Sequence, residues 1–349
     1  MKNIKRILVI LFTILLVFSA CNKKENSVGI LPEVEQSDFT VYFLDVGQAD
    51  AALIICDGYT MLIDGGNAAD SSFIYAFLKN HDITFLDYLI ATHAHEDHIG
   101  GLSGALNFAE VAVAYCPVTS YNSNVFDDFL KYLGKQNLTI TLPIAGEEFS
   151  LGAATVMIVG PVKSSSEPNN TSIVMKIIYG NTSFLFAGDA ERKEEETILD
   201  KGFDLSATVL KVGHHGSDTS TSYPFLREIM PSYAVISCGK NNKYGHPDEI
   251  ILSRLRDADV EVFRTDMQGT IIAVSDGETV SFTTERNIDT KTNPTEVDED
   301  ELFYIGNSKT LKFHTPDCKG LPLQKNRIYF SYREEAIRQG YIPCTKCNP

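Results

Sequence analysis

The chain has 349 residues, 44% of them hydrophobic and 22% charged, with a formal net charge of −16. That fits a folded protein with one large core and a smaller module. The acidic excess disfavours non-specific attraction to nucleic acid or anionic lipid and counts against a general DNA binder, although cations bound at a site reverse the field there.

In chain order, residues 1–21 have the layout of a secretory signal peptide: Lys2, Lys5 and Arg6, an apolar run from Ile7 to Phe18 broken by Thr13, then Ser19 and Ala20 before Cys21. The run is short for a membrane span of ~20 residues. Phe18-Ser19-Ala20-Cys21 resembles a bacterial lipobox. It implies lipidation of Cys21 and an exported protein anchored to the outer face of the cytoplasmic membrane. Cleavage without lipidation, giving a secreted protein, is the alternative. Residues 22–37 read as a tether.

From 38 to 285 strands and helices follow in turn. Strands are expected at 41–46, 52–56, 61–63 and 86–91, and helices at 71–80 and 124–133. A hairpin of 172–178 and 183–187 precedes a helix at 191–199, a strand at 207–212, a helix at 250–256 and strands at 260–264, 270–275 and 279–283. Strands first in hairpins and later separated by helices predict an α/β sandwich, two mixed sheets with helices outside. Residues 286–300 are polar, contain Pro294 and turn acidic, which reads as a linker; 301–349 form a separate module. Cys56, Cys116 and Cys238 sit among apolar neighbours and read as small core residues, with a disulfide between two of them left open.

The densest chemistry is His93-Ala94-His95-Glu96-Asp97-His98, where His93, His95, Asp97 and His98 make four candidate ligands in six residues after an apolar strand. Imidazole and carboxylate so concentrated point to a divalent metal centre. His93 and His95 suit one ion, Asp97 and His98 a second. Asp189, after 184–188, and His214-His215, after 209–213, are strand-end positions where further ligands are delivered.

In this order these motifs, with Phe43–Ala51, Leu62-Ile63-Asp64-Gly65-Gly66, Asn169-Asn170-Thr171-Ser172 and Tyr244-Gly245-His246-Pro247, resemble the metallo-β-lactamase fold in its ComEC-like competence branch. The resemblance implies an αββα sandwich and a stand-alone hydrolase domain. It implies two divalent ions, Zn²⁺ or Mn²⁺, with Asp189 bridging them and His215 as the last ligand of the second ion, His214 its neighbour and substitute. No histidine lies between His98 and His214, so the first ion lacks the third histidine many members supply. Asn169 and Asn170 stand in that region, as weak ligands or substrate contacts. Ser217, Lys211, Tyr244 and His246 are candidate contacts to a phosphoryl group, with Asp97, Asp189, Lys211 and His246 as catalytic candidates. Asp45 and Asp64 are expected to hold loops and ligands, and His81 to be structural or exposed.

At the C-terminus His314, Cys318 and the Cys344-x-x-Cys347 knuckle give four ligands for a structural zinc, or a disulfide from Cys318. The module resembles the metal-binding domain of Ada-type DNA repair proteins, with His314 where the family has a cysteine. A metal-activated water attacking a phosphodiester, DNA included, is the leading expectation. Hydrolysis of lactam or other carboxylic bonds and a non-catalytic DNA- or envelope-polymer-binding surface protein are the alternatives. No obligate protein partner is implied.

Overall fold

Most strands carry apolar residues on both faces because each large sheet is covered on both sides. The structure is a computed structural model and describes residues 39–294, 304–330, 333–347 and 349. The expected signal sequence with Cys21, the expected tether and the end of the expected linker lie outside the described residues.

The chain runs β1 (Phe39–Phe43), β2 (Ala52–Cys56), β3 (Tyr59–Ile63), α1 (Ser71–Asn80), β4 (Phe85–Ile90), α2 (Glu96–Ile99), α3 (Leu102–Phe108), β5 (Glu110–Tyr115), α4 (Asn124–Lys135) and β6 (Ile140–Thr141). Then follow β7 (Glu148–Leu151), β8 (Ala154–Gly160), β9 (Val174–Tyr179), β10 (Thr182–Phe186), α5 (Arg192–Lys201), β11 (Val209–Lys211), α6 (Tyr223–Ile229) and β12 (Tyr233–Ile236). The first module ends with α7 (Glu249–Asp257), β13 (Glu261–Arg264), α8 (Thr265–Gln268), β14 (Ile271–Ser275) and β15 (Val280–Thr284).

One sheet has the order β15-β14-β1-β2-β3-β4-β5-β6, the other β13-β12-β11-β10-β9-β8-β7. Val41 and Phe43 of β1 meet Phe184 and Phe186 of β10 in the core between the sheets. Leu53, Leu62 and Leu89 turn the other way, onto Phe77 of α1 and Phe126 and Phe129 of α4. Leu185 and Leu210 likewise pack on Ile198 of α5 and Phe225 of α6. Three cores between four layers are the αββα sandwich the sequence predicts.

Helix positions follow from spacing and caps. In α4, Phe126, Phe129 and Leu133 fall on one face, and the Ser123 hydroxyl caps the start by accepting from the Phe126 N–H at 3.1 Å. Helix α5 ends at Gly202, whose φ of 69° closes the last turn. The expected strand at 41–46 instead ends at Phe43, because the chain turns through Gly47 at φ 68°. Strands β5, β6, β7, β8 and β12 are additions to the sequence reading. β8 and β12 pack apolar residues on both faces, so neither alternates clearly.

The C-terminal module is a small sheet, β18-β16-β17-β19, of β16 (Tyr304–Asn307), β17 (Lys312–His314), β18 (Arg327–Phe330) and β19 (Ile342–Pro343), with α9 (Arg333–Arg338) against it. Its core is Phe313, Phe330, Ala336 and Tyr341. The described start of the expected linker is not free. Thr292 is buried with its hydroxyl donating to the Val262 carbonyl, and Asn293 accepts from Arg256 at 2.6 Å and donates to the Leu252 carbonyl at 2.9 Å.

Candidate metal centre

The loops that leave β3, β4, β10 and β11 meet, because within each sheet these strands run parallel and deliver their carboxyl ends to one edge. After β4 the chain passes Thr92 to His93 and His95, and α2 then presents Asp97 and His98. The glycine pair after His98 permits close packing: a Cβ on Gly101 would lie 1.9 Å from the Gly65 carbonyl oxygen. That approach brings His98 onto Asp64.

Asp64 is buried and fully used. It accepts from the Thr92 N–H at 2.8 Å, the Thr92 hydroxyl at 2.7 Å and His98 Nδ1 at 2.8 Å. His98 therefore presents Nε2 to Asp189 Oδ2, 3.2 Å away. His215 is set the same way: Nδ1 donates to the Ser237 carbonyl at 3.0 Å, leaving Nε2 3.3 Å from Asp97 Oδ2 and 3.8 Å from Asp189 Oδ2. His93 Nε2 also lies 3.8 Å from Asp189 Oδ2 and 3.0 Å from His95 Nδ1.

His98 Nε2, His215 Nε2 and Asp189 Oδ1 are buried with no hydrogen-bond partner. Acceptor atoms gathered in this way are costly unless something positive lies among them. The ligand atoms of Asp97, His98, Asp189 and His215 all fall within 4.8 Å of one another. Two imidazoles with Nδ1 committed and Nε2 turned inward beside two carboxylates are the donor set a divalent cation takes. Without a cation, protons fill the role. Burial depresses His98, but Asp189 and Asp64 outweigh it and hold the ring protonated well above its ordinary range. Burial is likewise outweighed at His215, where Asp189 and then Asp50 push the value up to about 10. Burial raises Asp97, yet the His215 hydrogen bond and His98 bring it down to about 2.

His214 and His215 are consecutive non-glycine residues in the left-handed region, at φ 51° and 55°. Each costs of order 1–2 kcal/mol, strain that recurs at functional sites. The conformation splays the rings 6.2 Å apart. His214 places Nδ1 3.0 Å from Thr219 Oγ1 and 3.6 Å from Glu191 Oε1, with Nε2 3.8 Å from Asp189 Oδ2. Gly216 completes the turn where a Cβ would strike Pro247 at 2.6 Å.

Three sequence assignments change. Lys211 does not face a substrate: its buried ammonium is 2.7 Å from Asp50 Oδ2 and donates to the Val212 carbonyl at 3.1 Å. Asp50 Oδ1 in turn lies 3.3 Å from His215 Nδ1, so the lysine acts on the centre through Asp50. Asn170 is a structural clamp. Its amide donates to Glu191 at 3.3 Å and its oxygen accepts the N–H groups of Glu191 and Glu194 at the start of α5. Ser217 is buried, 3.0 Å from Thr219, and belongs to the support of His214.

Asn169 differs from its neighbour. Its amide donates to Glu191 at 3.2 Å, but its oxygen is buried without a partner. His246, half-buried, has Nδ1 3.4 Å from Gln48 Nε2, its ring edge-on to His214 at 5.8 Å and stacked on Tyr244 at 5.6 Å. Burial, then His215 and His214, take it down to about 4, so it is a neutral imidazole at ordinary pH. Asp45 holds its loop as expected, through Arg286 at 3.0 Å and the Thr270 hydroxyl. His81 is structural, its Nδ1 2.8 Å from the Phe77 carbonyl. Sequence reasoning misses the roles of Asp50 and Glu191; the signal for Asp50 was its place in the motif Gln48-Ala49-Asp50.

In the C-terminal module the ligand atoms of His314, Cys318, Cys344 and Cys347 lie within 4.8 Å of one another, and no cysteine among the described residues is in a disulfide. Backbone N–H groups of Gly320 and Lys346 donate to Cys318 Sγ and Cys344 Sγ at 3.4 Å. Thiolates supported by amides in a Cys3His set fit a structural zinc.

The Metallo-beta-lactamase superfamily profile matches residues 44–240, and that of the Metal binding domain of Ada matches residues 293–349. ComE operon protein 3 of Bacillus subtilis is 30% identical over 254 residues, covering 67% of this chain and 33% of the relative. Competence protein ComA of Neisseria gonorrhoeae is 30% identical over 260 residues, covering 70% and 33%. Recombination protein 2 of Haemophilus influenzae is 29% identical over 253 residues, covering 70% and 30%. The chain thus spans about a third of the length of these relatives. Among solved structures, the metallo-beta-lactamase fold protein YhfI of Bacillus subtilis is 15% identical with a TM-score of 0.45, over 65% of this chain and 96% of its own. The metallo hydrolase Igni18 of Ignicoccus hospitalis is 16% identical with a TM-score of 0.45, over 67% and 98%. With the histidine motif and the sandwich in place, the chain belongs to the metallo-β-lactamase superfamily; it is similar to these competence proteins over about two thirds of its length, and its C-terminal residues match the metal-binding domain of Ada.

Proposed function

We propose that the protein is a metal-dependent phosphodiesterase or nuclease that works outside the cytoplasm, tethered through Cys21. The observation that carries the reading is Asp189: its Oδ2 lies 3.2 to 3.8 Å from ring nitrogens of His93, His98, His214 and His215. One buried carboxylate among four imidazoles is the arrangement of a bridge between two cations. Asp97, His98 and His215 would hold one ion with Asp189, and His93, His95 and His214 the other. His214 then supplies the third imidazole that the sequence lacks between His98 and Asp189. Zinc suits the imidazole-rich sets, with manganese as the alternative.

When bound, two such ions would supply an activated water as nucleophile and offset the charge that develops on the oxygens of a phosphodiester. The protein's own groups do the rest. Asp64 and the Ser237 carbonyl fix the tautomers of His98 and His215. Asp50 and Lys211 brace His215 from below. His246 is neutral at ordinary pH, and a hydrogen bond donated by Gln48 to Nδ1 leaves Nε2–H to donate to a substrate oxygen. The competence relatives and the Ada-type module support a nucleic-acid substrate over a lactam.

The test compares hydrolysis of bis-p-nitrophenyl phosphate, single-stranded DNA and a chromogenic cephalosporin by metal-loaded protein. We expect turnover of the first two, and a loss of at least about a hundredfold in Asp189→Asn. Cephalosporin turnover alone would overturn the reading. Tethering predicts that Cys21→Ser moves the protein from the membrane fraction to the medium.

A further inference from the structure

Beyond the ion ligands, the site has an outer rim of which only His246 takes part in the chemistry proposed at phosphorus. Residues 239–246 form a loop tied internally by Asn242, whose oxygen accepts the N–H groups of Tyr244 at 3.1 Å and His246 at 3.0 Å while its amide donates to the Gly239 carbonyl at 2.9 Å. Gln48 pins the loop to the first module by accepting the Gly239 N–H at 3.0 Å. The loop is therefore a fixed platform.

On it runs a ladder of rings leading outward from the metal ligands. His214 meets His246 edge-on, His246 stacks on Tyr244 with ring planes 21° apart, and Lys243 Nζ lies 4.9 Å from the Tyr244 ring centre. Tyr244 remains 55% exposed although its ring stacks on His246. The C-terminal module reaches the same place: Arg338 of α9 lies over Gly245, where a Cβ would stand 3.2 Å from its Nη1. Its charge also acts on Asp248, whose carboxylate accepts the Asp218 N–H at 3.1 Å. Lys240 is a second exposed cation on the loop, beside Lys243. In a chain whose formal charge is −16, cations from two modules meet beside the reactive centre.

We infer that this rim is a subsite for single-stranded nucleic acid flanking the cleaved bond, with Tyr244 taking an unpaired base and Lys243 and Arg338 the neighbouring phosphates. Aromatic faces alternating with cations are how strands are held without sequence preference, and a stacked base needs to be free of its partner strand. The acidic remainder of the surface keeps binding confined to this short track. The Ada-type module thereby becomes part of the binding surface. The inference rests on the phosphodiesterase reading for what happens to the strand, but its binding half stands independently.

The test is fluorescence anisotropy of the metal-loaded full chain with a short hydrolysis-resistant phosphorothioate oligodeoxynucleotide, single-stranded and as duplex, across a salt series. Tyr244→Ala should weaken single-strand binding about tenfold and leave duplex binding nearly the same, and Tyr244→Phe should restore it. Lys243→Ala and Arg338→Ala should each reduce the salt slope by about 0.7. On the catalytic side, the ratio of kcat/KM on single-stranded DNA to that on bis-p-nitrophenyl phosphate should fall about tenfold in Tyr244→Ala. Equal single-strand affinity and salt slope in all variants would overturn the inference, as would equal losses on single strand and duplex. Binding that depends on these residues without hydrolysis of any diester would sink the phosphodiesterase reading and leave the subsite standing.

Discussion

Replacing Asp64 with asparagine tests whether the centre is built around a fixed His98. The carboxylate accepts three hydrogen bonds at 2.7 to 2.8 Å, two from Thr92 and one from His98 Nδ1. Asparagine keeps the shape but offers one oxygen and one amide, so the amide must confront a donor. A buried donor left unmatched costs about 1–3 kcal/mol, and a ligand histidine deprived of its carboxylate partner typically lowers metal affinity 10–100-fold, about 1.4–2.7 kcal/mol. The two effects separate in experiment. Thermal unfolding of the metal-free Asp64→Asn protein reports the first, and competition with a chromophoric chelator reports the second. A role confined to packing Thr92 would lower the melting temperature and leave ion affinity alone. Wild-type affinity in the variant would refute the positioning of His98 by Asp64.

Other consequences are simpler. Phe186→Ala opens a cavity between the two sheets and should cost roughly 3–5 kcal/mol, read by urea unfolding. Cys347→Ser should lower the bound metal by about one ion per chain in elemental analysis and expose the C-terminal module to protease, leaving the larger module resistant. Tyr115 is held up at about 12 by burial and by Glu147, whose carboxylate accepts its hydroxyl at 3.1 Å. Its folded value lies above the unfolded one near 10, so its contribution is full below pH ~10 and is lost as pH rises toward 12. Tyr115→Phe should flatten that part of the alkaline unfolding curve.

Much of the centre was legible because metal chemistry demands rare residues in short spacing. His93 to His98, Asp189 and His215 stand out for that reason, and the sandwich was legible from the order of strands and helices. Helix α1 falls at the residues expected because Ile74, Phe77 and Leu78 mark one face and the apolar spacing stops at Asn80. Lys211 and Asn170 were misread because a polar residue beside a motif looks free until its partner is known, and their partners, Asp50 and Glu191, are 161 and 21 residues away. The place of His214 was hidden for a different reason. Adjacent histidines suggest one ligand and one spare, and only the left-handed backbone angles at both residues hold the two rings 6.2 Å apart with each Nε2 3.8 Å from Asp189 Oδ2. Arg338 could not be placed beside Gly245 from sequence, since that neighbourhood depends on how two modules pack.

In the metal-free protein, Asp189 with Asp64 and Asp50 favours the protonated forms of His98 and His215, and a cation that binds there displaces those protons. Loading the centre is thus an exchange reaction, with hydrogen ions as its second product, and its equilibrium constant rises with pH. An acidified surrounding would strip the ions and an alkaline one would fix them. Calorimetric titration in buffers of different ionisation enthalpy would count the protons released per ion.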